Sequence, residues 1–379
     1  MNHFIKEIKD SFRFFRKHPQ GEKRIVFYSE GNAFYSYFEG LIDELMNIYG
    51  EDIHYITSDI HDPVLKRKDS QFYVYYINKL LPFFMLFVKC KVFVATLNDL
   101  HQMHIKKSLN SKVHYVYVPH TLASTHMVFR FGALDYYDSI LCAGAHHLDE
   151  IKKTEKIYDL NPKRLIKAGY YRLERIFTEN SQNKRSRELN HKTILIAPSY
   201  GRGNIIKVCG QDLIKSLLDG GYRVIVRPHP EIIKNTPEII RDLSLRFTDN
   251  PNFSFDTKIS SYEKILEADV LISDYSGIAM EYAFGTERPV LFIDVPLKIN
   301  NPRYLDIGME PVEVAVRSKI GEVLQMSEIH SVTVFVSKLI AEKEKYIKNI
   351  VELRNKYIYN FGQSSLIGAK HIMDIVNTT

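Results

Sequence analysis

Apolar positions along this chain fall into short continuous runs separated by longer stretches of helical period. In the first half the runs are Arg24-Ile-Val-Phe-Tyr28, Ile53-His-Tyr-Ile-Thr57, Lys91-Val-Phe-Val-Ala95, His114-Tyr-Val-Tyr-Val118 and Ser139-Ile-Leu-Cys142. They are rich in β-branched and aromatic residues, which marks strands buried on both faces, and strands alternating with helices predict a parallel sheet covered on both sides. The stretch 179–190, from Glu179 to Asn190, has almost nothing to bury and predicts a linker. After it the same pattern restarts, with strands expected at Thr193-Ile-Leu-Ile-Ala197, Arg223-Val-Ile-Val226, Asp269-Val-Leu-Ile-Ser273 and Val290-Leu-Phe-Ile-Asp294. From about Ser331 the chain turns to charged, amphipathic helices.

Two successive doubly wound units facing a cleft make the GT-B arrangement, an α/β fold of two Rossmann-like domains. The expected division is an acceptor-side domain at 1–178, a linker at 179–190, a donor domain at 191–345, and helices at 346–379 crossing back to the first domain. Ligands are expected at the carboxyl ends of the strands. The longest apolar run, Leu80 to Val88, is far short of the ~20 residues that span a bilayer and is interrupted by Pro82, so it is expected to be a buried helix.

Composition narrows the function. A length of 379 residues calls for two domains, and 45% hydrophobic with 25% charged residues excludes a disordered or fibrous chain. The net charge of +6 favours anionic partners without the dense basic stripe of a nucleic-acid binder. Cys90, Cys142 and Cys209 are widely spaced in apolar surroundings, which points to buried thiols in a reducing compartment. The charged N-terminus carries no secretory signal, so the expected location is cytoplasmic.

The candidate chemistry lies in the loops. Arg227-Pro-His-Pro230 follows a strand directly, and its prolines stiffen a loop in which Arg227 pairs with phosphate oxygens and His229 donates a hydrogen bond. Without context, a rigid turn with a satisfied histidine explains it equally well. The context is Ser273-Asp-Tyr-Ser-Gly277, a turn between a buried strand and a helix starting near Ser276 or Gly277, whose free N–H groups suit a diphosphate. Gly277 admits a ligand close to the backbone, and Glu281 one turn deeper is placed to accept ribose hydroxyls; the competing reading is an ordinary capped helix with a surface glutamate. Asp274 is expected to hold the turn or pair with Arg227. Ser199 and Arg202, in the loop Ala197-Pro-Ser-Tyr-Gly-Arg-Gly203, are further candidate donor contacts, although a lone Gly-x-Gly is weak evidence.

With these motifs, and with a histidine loop at Val118-Pro-His-Thr121, the sequence resembles the CDP-glycerol glycerophosphotransferase family of teichoic-acid and capsule biosynthesis. The resemblance covers most of the chain and is most specific from 190 to 295. It implies CDP-glycerol or a related CDP-alditol as donor, a glycan or lipid-linked acceptor, and donor-pyrophosphate contacts from His229, Ser276 and the neighbouring backbone. It also implies that His120 is the catalytic base, a role suited to imidazole, with His229 the second catalytic histidine. The family usually has Gly after the loop histidine, whereas Thr121 follows here.

His126, His146 and His147 are weaker candidates. Neighbouring His146 and His147 are expected to point apart on a helix and at most cap it. No cofactor and no metal site is expected, because a helix dipole with Arg227 and His229 can neutralise the leaving nucleotide. The N-terminal segment has apolar Phe4, Ile8, Phe12 and Phe15 with basic Lys6, Lys9, Arg13 and Arg16. Such a helix suits peripheral contact with an anionic membrane at its inner face, or docking on the protein's own surface. A GT-B glycosyltransferase using a nucleotide sugar is the main rival, and a non-catalytic capsule-assembly scaffold the second.

Overall fold

The computed structural model describes residues 3–16, 23–182, 192–201, 203–258 and 261–378. Its strands form two sheets. In the first, β1 (Ile25–Ser29), β2 (Ile53–Thr57), β3 (Phe72–Tyr76), β4 (Val92–Ala95), β5 (His114–Tyr117), β6 (Ser139–Cys142) and β7 (Arg164–Lys167) take the order β3-β2-β1-β4-β5-β6-β7. In the second, β8 (Thr193–Ile196), β9 (Arg223–Val226), β10 (Phe253–Phe255), β11 (Val270–Ser273), β12 (Val290–Asp294) and β13 (Gly321–Gln325) take the order β10-β9-β8-β11-β12-β13. The pairings in both sheets are parallel. Each sheet reverses its winding once, between β1 and β4 and between β8 and β11, and open α/β sheets bind ligands at the carboxyl side of such reversals.

Every strand expected from the apolar runs is present. Those the pattern does not announce, β3, β7, β10 and β13, are the four sheet edges. An edge strand is covered less completely, so its sequence need not be continuously apolar. In β7 both ends, Arg164 and Lys167, are exposed, and no residue of β10 is fully buried. The inner strand β1 is buried throughout and sends Val26 and Tyr28 to one face and Ile25 and Phe27 to the other, the period-two alternation of a pleated strand.

The chain crosses between the domains twice. The helix Tyr171–Gln182 continues into the stretch read as linker and buries Leu173 and Ile176 in the core of the second domain, whereas 183–190 lie outside the described residues. The helix Lys343–Tyr357 adds Tyr346, Ile350 and Leu353 to that same core. The return follows at once: Tyr359 N–H donates to the Ala143 carbonyl (2.9 Å), and a Cβ on Gly144 would overlap the Tyr357 carbonyl oxygen. The helix Ser364–Thr378 then lays Ala369, Ile372, Met373 and Val376 against Phe38 and Leu41 of the first domain. Each large apolar side chain so buried contributes roughly 1.5–3 kcal/mol, which makes this last helix part of the first domain's core.

Two helices depart from the pattern. Leu81–Phe87 is only half buried: Leu81, Phe84 and Met85 face inward, while Phe83 and Phe87 are 69% and 58% exposed. The helix His3–Phe15 docks through its polar residues, with Glu7 accepting from the backbone N–H groups of Asn78 and Leu80 (both 2.6 Å) and Asp10 from that of Tyr76 (3.0 Å). Phe14 is buried, but Phe4, Ile5, Phe12 and Phe15 face outward. The three cysteines are buried and free. Among the described residues no helix is long and apolar enough to cross a membrane.

Candidate active site between the two domains

His120 stands in the loop that leaves the carboxyl end of β5. Its ring is walled by Phe34, Tyr37 and Phe129, at centroid distances of 5.7, 6.2 and 5.9 Å. Burial in this aromatic box pushes its pKa down to about 4, the Thr96 carbonyl pulling weakly the other way, so the imidazole is neutral at physiological pH. Nδ1 lies 3.2 Å from the Tyr117 hydroxyl, which in turn lies 3.2 Å from Asn98 Oδ1. In the Nδ1–H tautomer the phenol oxygen accepts from the ring, its own proton going to Asn98, and Nε2 keeps its lone pair, the form a general base needs.

The loop that carries His120 is braced residue by residue. His146 Nε2 donates to the Leu122 carbonyl (2.9 Å) and His147 Nε2 to that of Ala123 (3.0 Å). Ser124 gives its N–H and hydroxyl to the two oxygens of Glu313 (2.8 and 2.7 Å), and Thr125 gives both of its donors to Glu150 (2.6 and 2.7 Å). His126 lies 3.3 Å from the Glu150 carboxylate and donates through Nε2 to the Met309 carbonyl (3.1 Å). His146 and His147 therefore do not point apart: their rings are 4.2 Å from each other and serve consecutive carbonyls. Burial lowers both imidazoles, His146 to about 3, so each ring is neutral and keeps its one N–H for its carbonyl.

Glu313 reaches this loop from the second domain. So does the helix Ile278–Thr286, whose N-cap is Gly277. A Cβ on Gly277 would sit 2.2 Å from Thr121 Oγ1, so the glycine admits the first-domain loop rather than open space for a ligand. Thr121 Oγ1 also accepts from the Ala123 N–H (3.1 Å), closing a turn just after His120. The threonine in place of the usual glycine thus fills the contact between the loop and the helix start.

On the donor side, the structure separates residues that hold the cradle from residues that face the cleft. Asp274 accepts from the N–H groups of Ser199 (2.7 Å) and Ile205 (3.2 Å), tying the loop after β8 to the loop after β11, and not from Arg227. Ser273 Oγ is fully buried on the Ala197 carbonyl (2.7 Å). Asn204 caps the helix Ile205–Asp219 beside them by accepting from Ile206 and Lys207. Arg202 lies outside the described residues. Ser276 is half-buried at the helix start.

Two expectations change here. Arg227 is 4% exposed and turned away from the cleft: its Nε (2.7 Å) and Nη2 both meet Asp256, and Nη2 also donates to the Ser261 carbonyl (2.9 Å). The carboxylate of Asp256, just beyond β10, draws the guanidinium inward through Nε and Nη2, and Nη1 is buried without a hydrogen-bond partner. Glu281 is equally inward, accepting from Tyr170 (2.7 Å) and from Arg172 Nε (2.9 Å), whose Nη1 reaches Ser36 of the first domain (3.1 Å). Its oxygens link the two domains and are not free for a ribose.

His229 is placed otherwise. It caps the helix Pro230–Asn235 by accepting the Glu231 N–H at Nδ1 (3.2 Å), which leaves the proton on Nε2. Burial, then the charges of Lys298 and His120, lower its pKa to about 3, so it is a neutral donor facing the same cleft as His120. Its ring lies 4.8 Å from that of Tyr200, and the Lys298 ammonium sits 3.3 Å from the Tyr200 ring centroid. For Glu30, just beyond β1, burial and then the charges of Glu231 and Asp99 raise the pKa to about 7. Among the described residues no group of three or more His, Cys, Asp and Glu side chains is placed to hold a metal ion.

Lys298, Glu313, Glu150 and Glu30 escape the sequence reading. Lys298 left one signal, a lone cation in the loop after a buried strand. Glu313 left none, because its partner Ser124 is 189 residues away.

Two doubly wound domains with opposed histidine loops facing a cleft define the GT-B fold. The CDP-glycerol:poly(glycerophosphate) glycerophosphotransferase family matches this sequence over residues 11–299, and the chain belongs to that family. It is a glycerophosphotransferase. Among solved structures it is similar to the wall teichoic acid polymerase TagF, with a TM-score of 0.62 and 14% identity over 99% of this chain and 95% of that one. It also resembles the S. aureus MnaA–UDP co-structure (TM-score 0.62, 10% identity, 94% and 98% covered). A UDP-GlcNAc 2-epimerase from Neisseria meningitidis bound to UDP-GlcNAc is similar too (0.59, 12%, 93% and 100%). At these identities the likeness is one of fold. No curated protein matches the chain in sequence.

Proposed function

We propose that the cleft moves glycerol phosphate, or a related alditol phosphate, from a CDP-linked donor to a hydroxyl of a glycan or lipid-linked acceptor. The acceptor oxygen attacks the glycerol-bearing phosphorus, the bond from that phosphorus to the bridging oxygen breaks, and CMP leaves with the electron pair. The hydroxyl proton passes to Nε2 of His120. Charge growing on the leaving phosphate is stabilised by Nε2–H of His229, by Ser276 and by the N–H groups at the start of the helix Ile278–Thr286. Ser199, Ser273 and Asp274 hold these groups in place, while Arg227 and Glu281 act through Asp256 and Arg172 as positioning residues.

The observation that carries this reading is the contact of Thr121 with Gly277, which brings the loop bearing the base against the start of the helix Ile278–Thr286. A neutral His120 supports it, because a base must be unprotonated before the reaction begins. The test is CMP release from CDP-glycerol with a panel of acceptors, run beside thermal-shift measurements with UDP- and GDP-sugars. Turnover and stabilisation by CDP-glycerol are expected; a response to nucleotide sugars alone would replace this function with glycosyl transfer.

A lipid-linked acceptor places the enzyme at an anionic membrane. The outward Phe4, Ile5, Phe12 and Phe15 of the first helix and the outward Phe83 and Phe87 support this, since apolar rings beside Arg13 and Arg16 suit a headgroup boundary.

A further inference from the structure

Among the described residues, the cation expected at the donor side, Arg227, is engaged elsewhere. Arg227 is closed off by Asp256, and His120 and His229 are both neutral. A nucleotide diphosphate brings two negative charges into this space. The described residues supply one basic side chain in contact with the His229 platform, and it is Lys298: half-buried, with its ammonium 3.3 Å from the ring centroid of Tyr200, itself 4.8 Å from the ring of His229.

Lys298 makes neither an ion pair nor a hydrogen bond among the described residues. A half-buried ammonium with no carboxylate at ion-pair distance is costly, and a ligand that brings negative charge to it offsets that cost. The loop around it is fixed. Asn300 and Asn301 donate their N–H groups to the Met127 carbonyl (3.1 and 3.2 Å), and their side-chain amides reach the carbonyls of Val128 (2.6 Å) and His126 (2.8 Å). Asn300 Nδ2 also donates to the Tyr200 hydroxyl (3.0 Å), so one short strap orients both the aromatic platform and the lysine above it. We propose that Lys298 is a donor-binding residue, its ammonium seated on Tyr200 and paired with the diphosphate held between His229 and the start of the helix Ile278–Thr286. This rests on the donor reading above and adds to it the residue that neutralises the donor's charge. Asp274, Glu313 and His229 face Lys298, and burial holds its pKa down at about 8 against the pull of the two carboxylates. The free enzyme therefore presents a full positive charge only below that pH.

The experiment is calorimetric titration of the full chain with CDP-glycerol, without acceptor, for the wild type, Lys298→Gln and Lys298→Arg. Loss of a charge-assisted contact weakens binding by about tenfold or more in Lys298→Gln, while Lys298→Arg stays within about threefold. Binding of uncharged cytidine is the same in all three. Wild-type affinity for CDP-glycerol is flat from about pH 6 to 7 and falls above about 8 as Lys298 loses its proton. Wild-type protein that ignores CDP-glycerol sinks the donor reading and this inference with it. A wild type that binds, with Lys298→Gln within twofold of it, overturns the role of Lys298 alone. Should Lys298→Gln not fold, affinity unchanged to about pH 9.5 in the wild type overturns that role instead.

Discussion

Replacing Glu313 by alanine separates bracing from chemistry. Glu313 is 3% exposed, belongs to the second domain, and holds the N–H and hydroxyl of Ser124, four residues beyond His120 in the first. Hydrogen bonds to a charged group contribute roughly 1.5–3 kcal/mol each, and a buried Ser124 N–H left unpaired costs a further ~1–3 kcal/mol. Against this, removing a buried carboxylate recovers part of its desolvation cost, a cost evident in the raised pKa that burial gives Glu313. The net loss to the brace is about 2–4 kcal/mol. Released at that point, the loop lets His120 move relative to the helix start, and a misplacement of about 1 Å costs ~10² in rate. The expected result for Glu313→Ala, with folding confirmed by circular dichroism, is a kcat lower by about a hundredfold and a dissociation constant for CDP-glycerol within about threefold of wild type. Glu313→Gln keeps an acceptor for the Ser124 N–H and a donor for its hydroxyl, and restores most of the rate. A folded Glu313→Ala enzyme with wild-type kcat would refute the argument that the second domain positions the base.

Other expectations follow from the same geometry. Arg227→Ala strands the buried Asp256 and lowers unfolding free energy by about 3–5 kcal/mol, whereas the folded fraction binds CDP-glycerol nearly as wild type; chemical denaturation read beside titration checks both. His120 is a base only when neutral, and its pKa is lowered, so kcat/KM loses activity only as pH falls through about 4; an acid limb near the ordinary value of 6.5 contradicts the buried aromatic box. Changing Phe12, Phe15, Phe83 and Phe87 to serine should abolish co-sedimentation with anionic liposomes and leave CMP release to soluble acceptors intact, and undiminished binding would argue that the outward rings serve another surface.

What the sequence made legible follows burial. Inner strands covered on both faces announce themselves as apolar runs, and their order supplied the doubly wound fold; β3, β7, β10 and β13 did not, because a sheet edge need satisfy only partial cover. The loops at the carboxyl ends of β5, β9 and β11 were equally legible, since a stiff turn or a helix start leaves local residue choices. Side-chain direction was not. Arg227 and Glu281 stand at the right positions and point inward, because Asp256 and Arg172, which claim them, are brought near only by tertiary packing. The same blindness hid Glu313 and Lys298, whose partners come from the other domain or from another loop. Gly277 was assigned to ligand access on local grounds, and its space is taken by Thr121.

In the proposed mechanism His120 takes the acceptor proton at a site the second domain braces. Its most direct test is single-turnover CMP release by His120→Ala, with CDP-glycerol affinity measured on the same protein. The expected rate is lower by about 10²–10⁴ with donor binding retained, the usual contribution of a positioned general base. A His120→Ala enzyme that releases CMP at the wild-type rate would contradict it.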